Sequence, residues 1–312
     1  MTTAMTRRPI FIFLLILVAG AATAWAQVGE LVAEADGTRV VRFHASGPAA
    51  DAALPSLCLV EPFSGLGDVP ADWSLEPVFS KIQGRQAVHL DIAEGTDLYG
   101  TGEVPGGLRR NGERAVAWNF DNYGYGRGEM SLYQSHPWVL AVRADGTAFG
   151  VIADTPERVL IDLRTDIRFE APGAPWPVIV IDGPSPQAVV SMLGELTGTM
   201  PLPPKWAMGY HQCRYSYTPA NRVRDIVYGF RDRNIPCDVI WYDIDYMDRF
   251  KCFTVDTKAF PDLRGLNDEV HGLGFHTVAI IDPGIKIEQG YHVYESGEAI
   301  DAWVKTARGD DY

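Results

Sequence analysis

Nine residues in the last third of the chain, Ile240 to Asp248 (IWYDIDYMD), join an apolar run to three carboxylates, Asp243, Asp245 and Asp248. Val239 to Trp241 reads as a strand buried on both faces, where hydrophobicity is continuous instead of alternating. The acids begin where that strand ends. Three chemistries suit them: gripping sugar hydroxyls, offering the D-x-D-x-x-D oxygens to an octahedral cation such as Mg²⁺, or bracing a loop. A second stretch, Trp118-Asn119-Phe120-Asp121-Asn122-Tyr123-Gly124-Tyr125-Gly126, has the composition of a sugar site. Aromatic faces stack on pyranose C–H groups, while Asp and Asn exchange hydrogen bonds with hydroxyls. A tight glycine-rich turn over packed aromatics has the same composition.

Two kinds of element must position these residues. From Gln27 to about residue 182 the chain is a succession of short β-branched or alternating runs: Thr38 to His44, Gln86 to Ile92, Val159 to Leu163 and Val178 to Ile181. Val139 to Val142 and Ala148 to Ile152 flank Asp145-Gly146, a hairpin signal. Such spacing predicts an antiparallel β-sandwich over residues 27–182. A helix follows, with Ser185 as N-cap, Pro186 at its first position, a stripe of Val189, Val190, Leu193 and Leu196, and Gly198 at its end. Pro201-Leu202-Pro203-Pro204 closes this connecting segment, 183–204, as a stiff linker.

After the linker the rhythm is β then α. Ala207 to Gln212, Val239 to Tyr242 and Val278 to Ile281 read as strands. Between them, Thr218-Pro219 opens a helix with Val223, Ile226, Val227 and Phe230 on one face, and Asp262 to Leu273 forms another. Each strand ends in polar or aromatic residues: Arg214-Tyr215, Asp243 to Asp245, and Asp282. That pattern fits a (β/α)₈ barrel, whose strand carboxyl ends build the active site. A doubly wound nucleotide fold is disfavoured, because the first βα turn lacks the glycine-rich phosphate fingerprint.

Composition narrows the function. The 312-residue chain has a formal charge of −13 and no basic stripe, which excludes nucleic acid as a partner and is compatible with a neutral ligand. Arg7 and Arg8, an apolar run from Ile10 to Val18 and Ala24-Trp25-Ala26 read as a secretory signal over residues 1–26. Its apolar run is too short for a bilayer, so a secreted or periplasmic protein free of the membrane after cleavage is expected. Cys58, Cys213, Cys237 and Cys252 form no C-x-x-C pair and are expected to be buried small apolar residues.

The motifs together resemble glycoside hydrolase family 31, the α-glucosidases and α-xylosidases, over about residues 97–312. The residues concerned are Leu98-Tyr99-Gly100-Thr101-Gly102-Glu103, Trp118-Asn119 with Asp121, Tyr133-Gln134-Ser135-His136-Pro137, Pro203-Pro204-Lys205-Trp206, Gly209-Tyr210-His211-Gln212-Cys213-Arg214, Asp243-Ile244-Asp245-Tyr246-Met247 and Ile281-Asp282-Pro283. The resemblance implies a galactose-mutarotase-like β-sandwich followed by an α/β (β/α)₈ TIM barrel, residues 205–312 being its first part. It also implies a retaining, exo-acting glycosidase that takes an oligosaccharide or glycoside; a metal at the D-x-D-x-x-D acids is disfavoured because nothing else nearby supports one, and no cofactor is expected. Asp243 is then expected to bind hydroxyls of the terminal sugar, between walls formed by Ile244, Ile280 and Tyr215, with Asp121 reaching in from the sandwich. Many members have Trp where this chain has Tyr215. Asp245 and Asp248 are expected to support the loop. Asp282 is expected either to orient the third loop or to pair with Arg214.

Retaining hydrolysis needs two carboxyl groups ~5–5.5 Å apart, and the family's W-x-D-M-N-E type nucleophile motif does not occur here. About three βα units are visible, in a fold that takes ~250 residues. The chain is therefore expected to be an N-terminal fragment, inactive alone, with apolar surface exposed at an open sheet edge. A carbohydrate-binding or regulatory protein without hydrolytic chemistry is the alternative.

Overall fold

The computed structural model describes residues 27–46 and 66–311; the expected leader, residues 1–26, and Cys58 lie outside the described residues. Twelve strands form the first of two compact units, which divide between Met200 and Pro201. They are β1 (Gln27–Ala35), β2 (Thr38–Ala45), β3 (Gly67–Asp68), β4 (Val78–Ile82), β5 (Arg85–Leu90), β6 (Asp97–Gly100), β7 (Arg114–Ala117), β8 (Trp138–Val142), β9 (Ala148–Ala153), β10 (Val159–Asp162), β11 (Ile167–Ala171) and β12 (Val178–Gly183). A seven-stranded sheet runs β3-β1-β2-β12-β9-β8-β6, and a five-stranded sheet runs β4-β5-β11-β10-β7, with every pairing antiparallel. The hairpin at Asp145-Gly146 is present, with Gly146 at φ 89.

Side-chain alternation explains why β12 is apolar at nearly every position. Val178 and Val180 enter the core between the sheets with Phe79, Phe149 and Phe169, while Ile179 and Ile181 face outward. That outer face is covered by helix α1 (Pro186–Thr197), through Val189, Met192 and Leu196. The Ser185 hydroxyl accepts from Ala188 N at 3.2 Å, so the cap falls where the sequence predicts it. The expected stripe needs one correction: Val190 is 49 % exposed and Met192 takes its place. Val190 lies about 100° around the helix from Val189, off the line that 189, 192 and 196 share.

The second unit contains β13 (His211–Gln212), α2 (Ala220–Asp232), β14 (Val239–Tyr242), α3 (Leu263–Gly272), β15 (His276–Ala279) and α4 (His292–Glu298). The strands are parallel in the order β13-β14-β15, the opening βα repeats of a barrel. Ile240 and Tyr242 pack with Val223 and Val227 of α2 and with Leu266 and Val270 of α3. Asp262 caps α3, its carboxylate accepting from Gly265 N at 2.8 Å. A Cβ at Gly265 would meet that carboxylate at 2.2 Å, which explains the glycine.

Two strand boundaries differ from expectation. Ala207 does not begin a strand: Lys205–Met208 forms a 3₁₀ turn after Pro203-Pro204, and Trp206 stacks on His276 with ring centroids 4.3 Å apart. Stacking takes up the residues that a longer first strand would use. The third strand also starts earlier, at His276, because its N–H pairs with Asp238 O at 2.7 Å. No helix among the described residues is long and apolar enough to cross a membrane.

Candidate functional site

The carboxyl ends of the three parallel strands gather most of the expected residues. In register, Val239 faces His211 on one side and His276 on the other, and Trp241 faces Val278. Trp241 shares a face with His211, since its indole Nε1 donates to His211 Nδ1 at 3.1 Å. Continuing the alternation puts Asp243 on that face, opposite the helix-facing Ile240 and Tyr242. Ile280 is brought alongside: its N–H donates to Tyr242 O at 3.0 Å, and its carbonyl accepts from Tyr246 OH at 2.9 Å.

Asp243 is half-buried and caps the 3₁₀ turn Ile244–Tyr246, its Oδ1 accepting from Ile244 N at 2.8 Å. That is its one side-chain hydrogen bond among the described residues. A carboxylate has about four acceptor sites, so most of its capacity is free for donors from a ligand. Ile244 is partly buried and packs toward the helix-side core. Tyr215 follows β13 and is 65 % exposed.

Asp248 and Asp245 differ sharply. Asp248 pairs with Lys251 at 3.1 Å and with Arg249 at 3.3 Å, and these cations hold its carboxyl below the usual range. Lys251 and Arg249 reach Glu288 at 3.0 and 2.8 Å, so this charge cluster ties the loop after β14 to the loop after β15. Lys286, Lys251 and Arg249 bring the Glu288 carboxyl down to about 2. Asp245 Oδ2 is buried without a hydrogen-bond partner among the described residues, as is His211 Nε2. No ion pair joins Asp282 to Arg214 among the described residues, and Asp282 instead accepts a backbone bond from Gly284 N at 2.7 Å. Nor do the described residues group three or more His, Cys, Asp or Glu in a way that could hold a metal.

Sequence reasoning missed three participants. Cys213 is exposed, not buried as expected, because β13 ends one residue before it. Partial desolvation, and then the nearby Asp243 carboxylate, push its thiol up. Cys237 and Cys252 are buried as expected. Cys252 Sγ donates to Ile281 O at 3.0 Å, and Tyr291 OH donates to Cys252 O at 2.7 Å, a second tie between the same two loops. Only the spacing of Tyr246 from Asp243, one 3₁₀ turn, hinted at its bond to Ile280.

Asp121 belongs to the first unit. It sits on the excursion between β7 and β8, which is pinned by Val116 N to Met130 O at 2.7 Å and Phe120 N to Leu132 O at 2.7 Å. Tyr133 OH donates to Asp121 at 3.2 Å, and Glu103 accepts from Tyr133 N at 3.1 Å. The carboxylate is thus exposed but oriented.

Comparisons with known proteins bear on the whole architecture. Residues 200–312 match the model of the glycosyl hydrolases family 31 TIM-barrel domain. Residues 31–162 match that of the glycosyl hydrolase 31 N-terminal galactose mutarotase-like domain. Alpha-glucosidase 2 of Bacillus thermoamyloliquefaciens is 39 % identical over 234 residues, 74 % of this chain and 30 % of the relative. Neutral alpha-glucosidase AB of Homo sapiens is 33 % identical over 280 residues, 78 % of this chain and 29 % of the relative. The chain therefore spans less than a third of the length of these curated relatives. Among solved structures, a family 31 alpha-glucosidase from Bacteroides thetaiotaomicron has a TM-score of 0.67 and 46 % identity, covering 74 % of this chain and 40 % of its own. A Flavobacterium johnsoniae dextranase complexed with isomaltotriose shares the fold, with a TM-score of 0.72 at 22 % identity over 94 % of this chain and 42 % of its own.

Proposed function

Because the chain belongs to glycosyl hydrolase family 31, as the two family matches spanning most of it show, we propose that the full-length protein is a retaining exo-α-glycosidase. It removes terminal α-linked sugars from oligosaccharides or glycosides, and the arginine-flanked apolar leader exports it. The observation that carries this reading is Asp243, oriented by Ile244 N at the carboxyl end of β14 with its remaining acceptor capacity free. Charge-assisted bonds from two vicinal hydroxyls suit that capacity, and a site built on them rejects sugars that invert or lack either hydroxyl. Ile280 and Tyr215 supply the walls in this reading, with Ile244 packed toward the helix-side core. Names of the alpha-glucosidase relatives support an α-linked glucose unit as the first substrate to test.

The nucleophile and the acid/base are assigned to a part of the full-length protein beyond Tyr312, since the W-x-D-M-N-E type motif is absent from these residues. Asp243 is a binding group in this scheme. Asp248 holds the loop through Lys251 and Arg249.

Hydrolysis of p-nitrophenyl α-glucoside by the full-length protein, with the anomer released followed by NMR, tests the scheme. The α-anomer is the expected first product. Asp243→Asn is expected to lower kcat/KM about 10²-fold or more, the equivalent of losing hydrogen bonds to a charged group at ~1.5–3 kcal/mol each. Inverted product, or full activity in Asp243→Asn, would sink it.

A further inference from the structure

We propose that Asn111-Gly112 is a spontaneous deamidation site that the folded sandwich holds latent, and that modification there loosens the join between its two sheets. It is the one Asn-Gly pair in the chain. Glycine leaves its peptide nitrogen unobstructed, so that nitrogen can reach the preceding carboxamide. The Gly112 nitrogen loses its proton and bonds to Asn111 Cγ; the Cγ–Nδ2 bond breaks, and the amide group takes up a proton and leaves as ammonia. Water then opens the five-membered imide at either carbonyl. Opening at Cγ gives aspartate. Opening at the main-chain carbonyl gives isoaspartate, in which the chain runs through Cβ and Cγ and is one bond longer. Nothing is oxidised or reduced, and water is the sole co-reactant.

The turn itself demands the hazardous glycine. Gly112 has φ 83, in the left-handed region, and nothing lies within 4 Å of where its Cβ would be, so conformation and not space selects it. Hydrogen bonds then hold both reacting groups in other engagements. Asn111 Oδ1 accepts from Leu98 N at 2.8 Å and from Arg109 Nε at 3.1 Å, and Nδ2 donates to Thr96 O at 2.9 Å. The carboxamide thus stands in for a peptide group along the edge of β6 that faces away from β8. Gly112 N donates to Leu163 O at 2.8 Å, just past β10. Attack needs these bonds to open, so it proceeds only from a locally unfolded turn.

The same contacts make this turn a bridge. Through Arg110 and Asn111 it holds β6 of the seven-stranded sheet, Leu98 O accepting from Arg110 N at 2.7 Å. Through Gly112 and Glu113 it extends the β7–β10 pairing of the five-stranded sheet, Glu113 O accepting from Leu163 N at 2.9 Å. Leu98 and Leu163 are both buried in the core between the sheets. Either product lacks the Nδ2 donor and sets a carboxylate oxygen against Thr96 O. Isoaspartate also lengthens the main chain between the two anchorages, so the Leu98 and Leu163 bonds cannot both keep their geometry. Peptide groups are then left unpaired, and the edge of β6 loses its cover.

Peptide mapping of the full-length protein, aged in alkaline buffer with and without urea, tests this. The mass gain of deamidation is expected on the peptide containing Asn111, about 10²-fold faster in urea than in the folded protein, because the folded chain must first open locally. In the modified protein, separated by its added charge and returned to native buffer, amide exchange at Leu98 and Leu163 is expected to rise about five- to tenfold more than in β12, the value of one net hydrogen bond. Asn111→Asp drops the donor at unchanged chain length and is expected to affect Leu98 more than Leu163; should it fail to fold, the modified native protein decides. Equal deamidation rates in the two conditions overturn the proposal. So does a urea-treated chain that keeps its Asn111 amide, or exchange at Leu98 and Leu163 that rises no more than in β12.

Discussion

Cys213 and Asp243 give the candidate site an internal reporter. The thiol is exposed, yet partial desolvation and the neighbouring carboxylate both disfavour its thiolate. The ordinary thiol value is ~8.5. Because alkylation proceeds through the thiolate, iodoacetamide is expected to label Cys213 slowly at pH 7–8 and faster as pH rises. Asp243→Asn removes the repelling charge, and at fixed pH it is expected to speed labelling a few-fold. Glucose bound at Asp243 is expected to slow labelling in the native chain. Peptide mapping reads Cys213 apart from the buried Cys237 and Cys252, and a rate indifferent to Asp243→Asn contradicts the proximity. The position of Asp243 was legible in the sequence because an unbroken apolar run fixes where a parallel strand ends. The exposure of Cys213 was not, since a small apolar residue looks the same inside and outside until the strand length is known. Asp248 and Asp245 also looked alike in sequence, and only the fold shows that one is paired with cations while an oxygen of the other is buried unpaired.

Among the elements, the five-stranded sheet hangs on one carboxylate. Asp162, at the end of β10, accepts from Arg114 of β7 at 3.0 Å, from Arg164 at 2.7 Å and from Arg168 of β11 at 2.8 Å. Arg164 first, with Arg114 and Arg168 after the opposing effect of burial, holds its carboxyl far below the usual range. A depressed folded-state value means that the stabilisation is fully present above the unfolded carboxyl value of ~3.9 and is lost as pH falls toward the folded one. Asp162→Ala is expected to cost about 1–3 kcal/mol at pH 7, discounted because the arginines are half in water. The difference in Tm from the parent is expected to shrink below about pH 4; a difference constant down to pH 2 contradicts the charge pairing. Strand placement here was legible from β-branched runs and the Asp-Gly turn, and α1 from its caps. The burial of Met192 in place of Val190, and the shortness of β13, were not. Both depend on contacts with distant residues, the outer face of β12 in one case and His276 in the other.

The molecule as a whole divides into parts of unequal completeness. In the first unit β12 has a neighbour on each side, a core on one face and α1 on the other, so its amides open only with the whole unit. In the second unit, among the described residues, β15 pairs with β14 alone, and His276 and Ala279 are exposed. Ile281, Ile287, Ile300 and Val304, in the stretch from the loop after β15 to residue 304, are exposed as well. A closed barrel gives every strand two neighbours. Hydrogen exchange on the 27–312 chain is therefore expected to be slowest in β2, β9 and β12 and at least about 10²-fold faster in β15, a difference of ~2.7 kcal/mol in opening free energy. In the full-length protein β15 is expected to slow markedly, because the supplied strands cover its open edge. Equal protection of β15 in the two chains would mean that its open edge is already covered, and the picture of three strands awaiting the remainder of a barrel would fail.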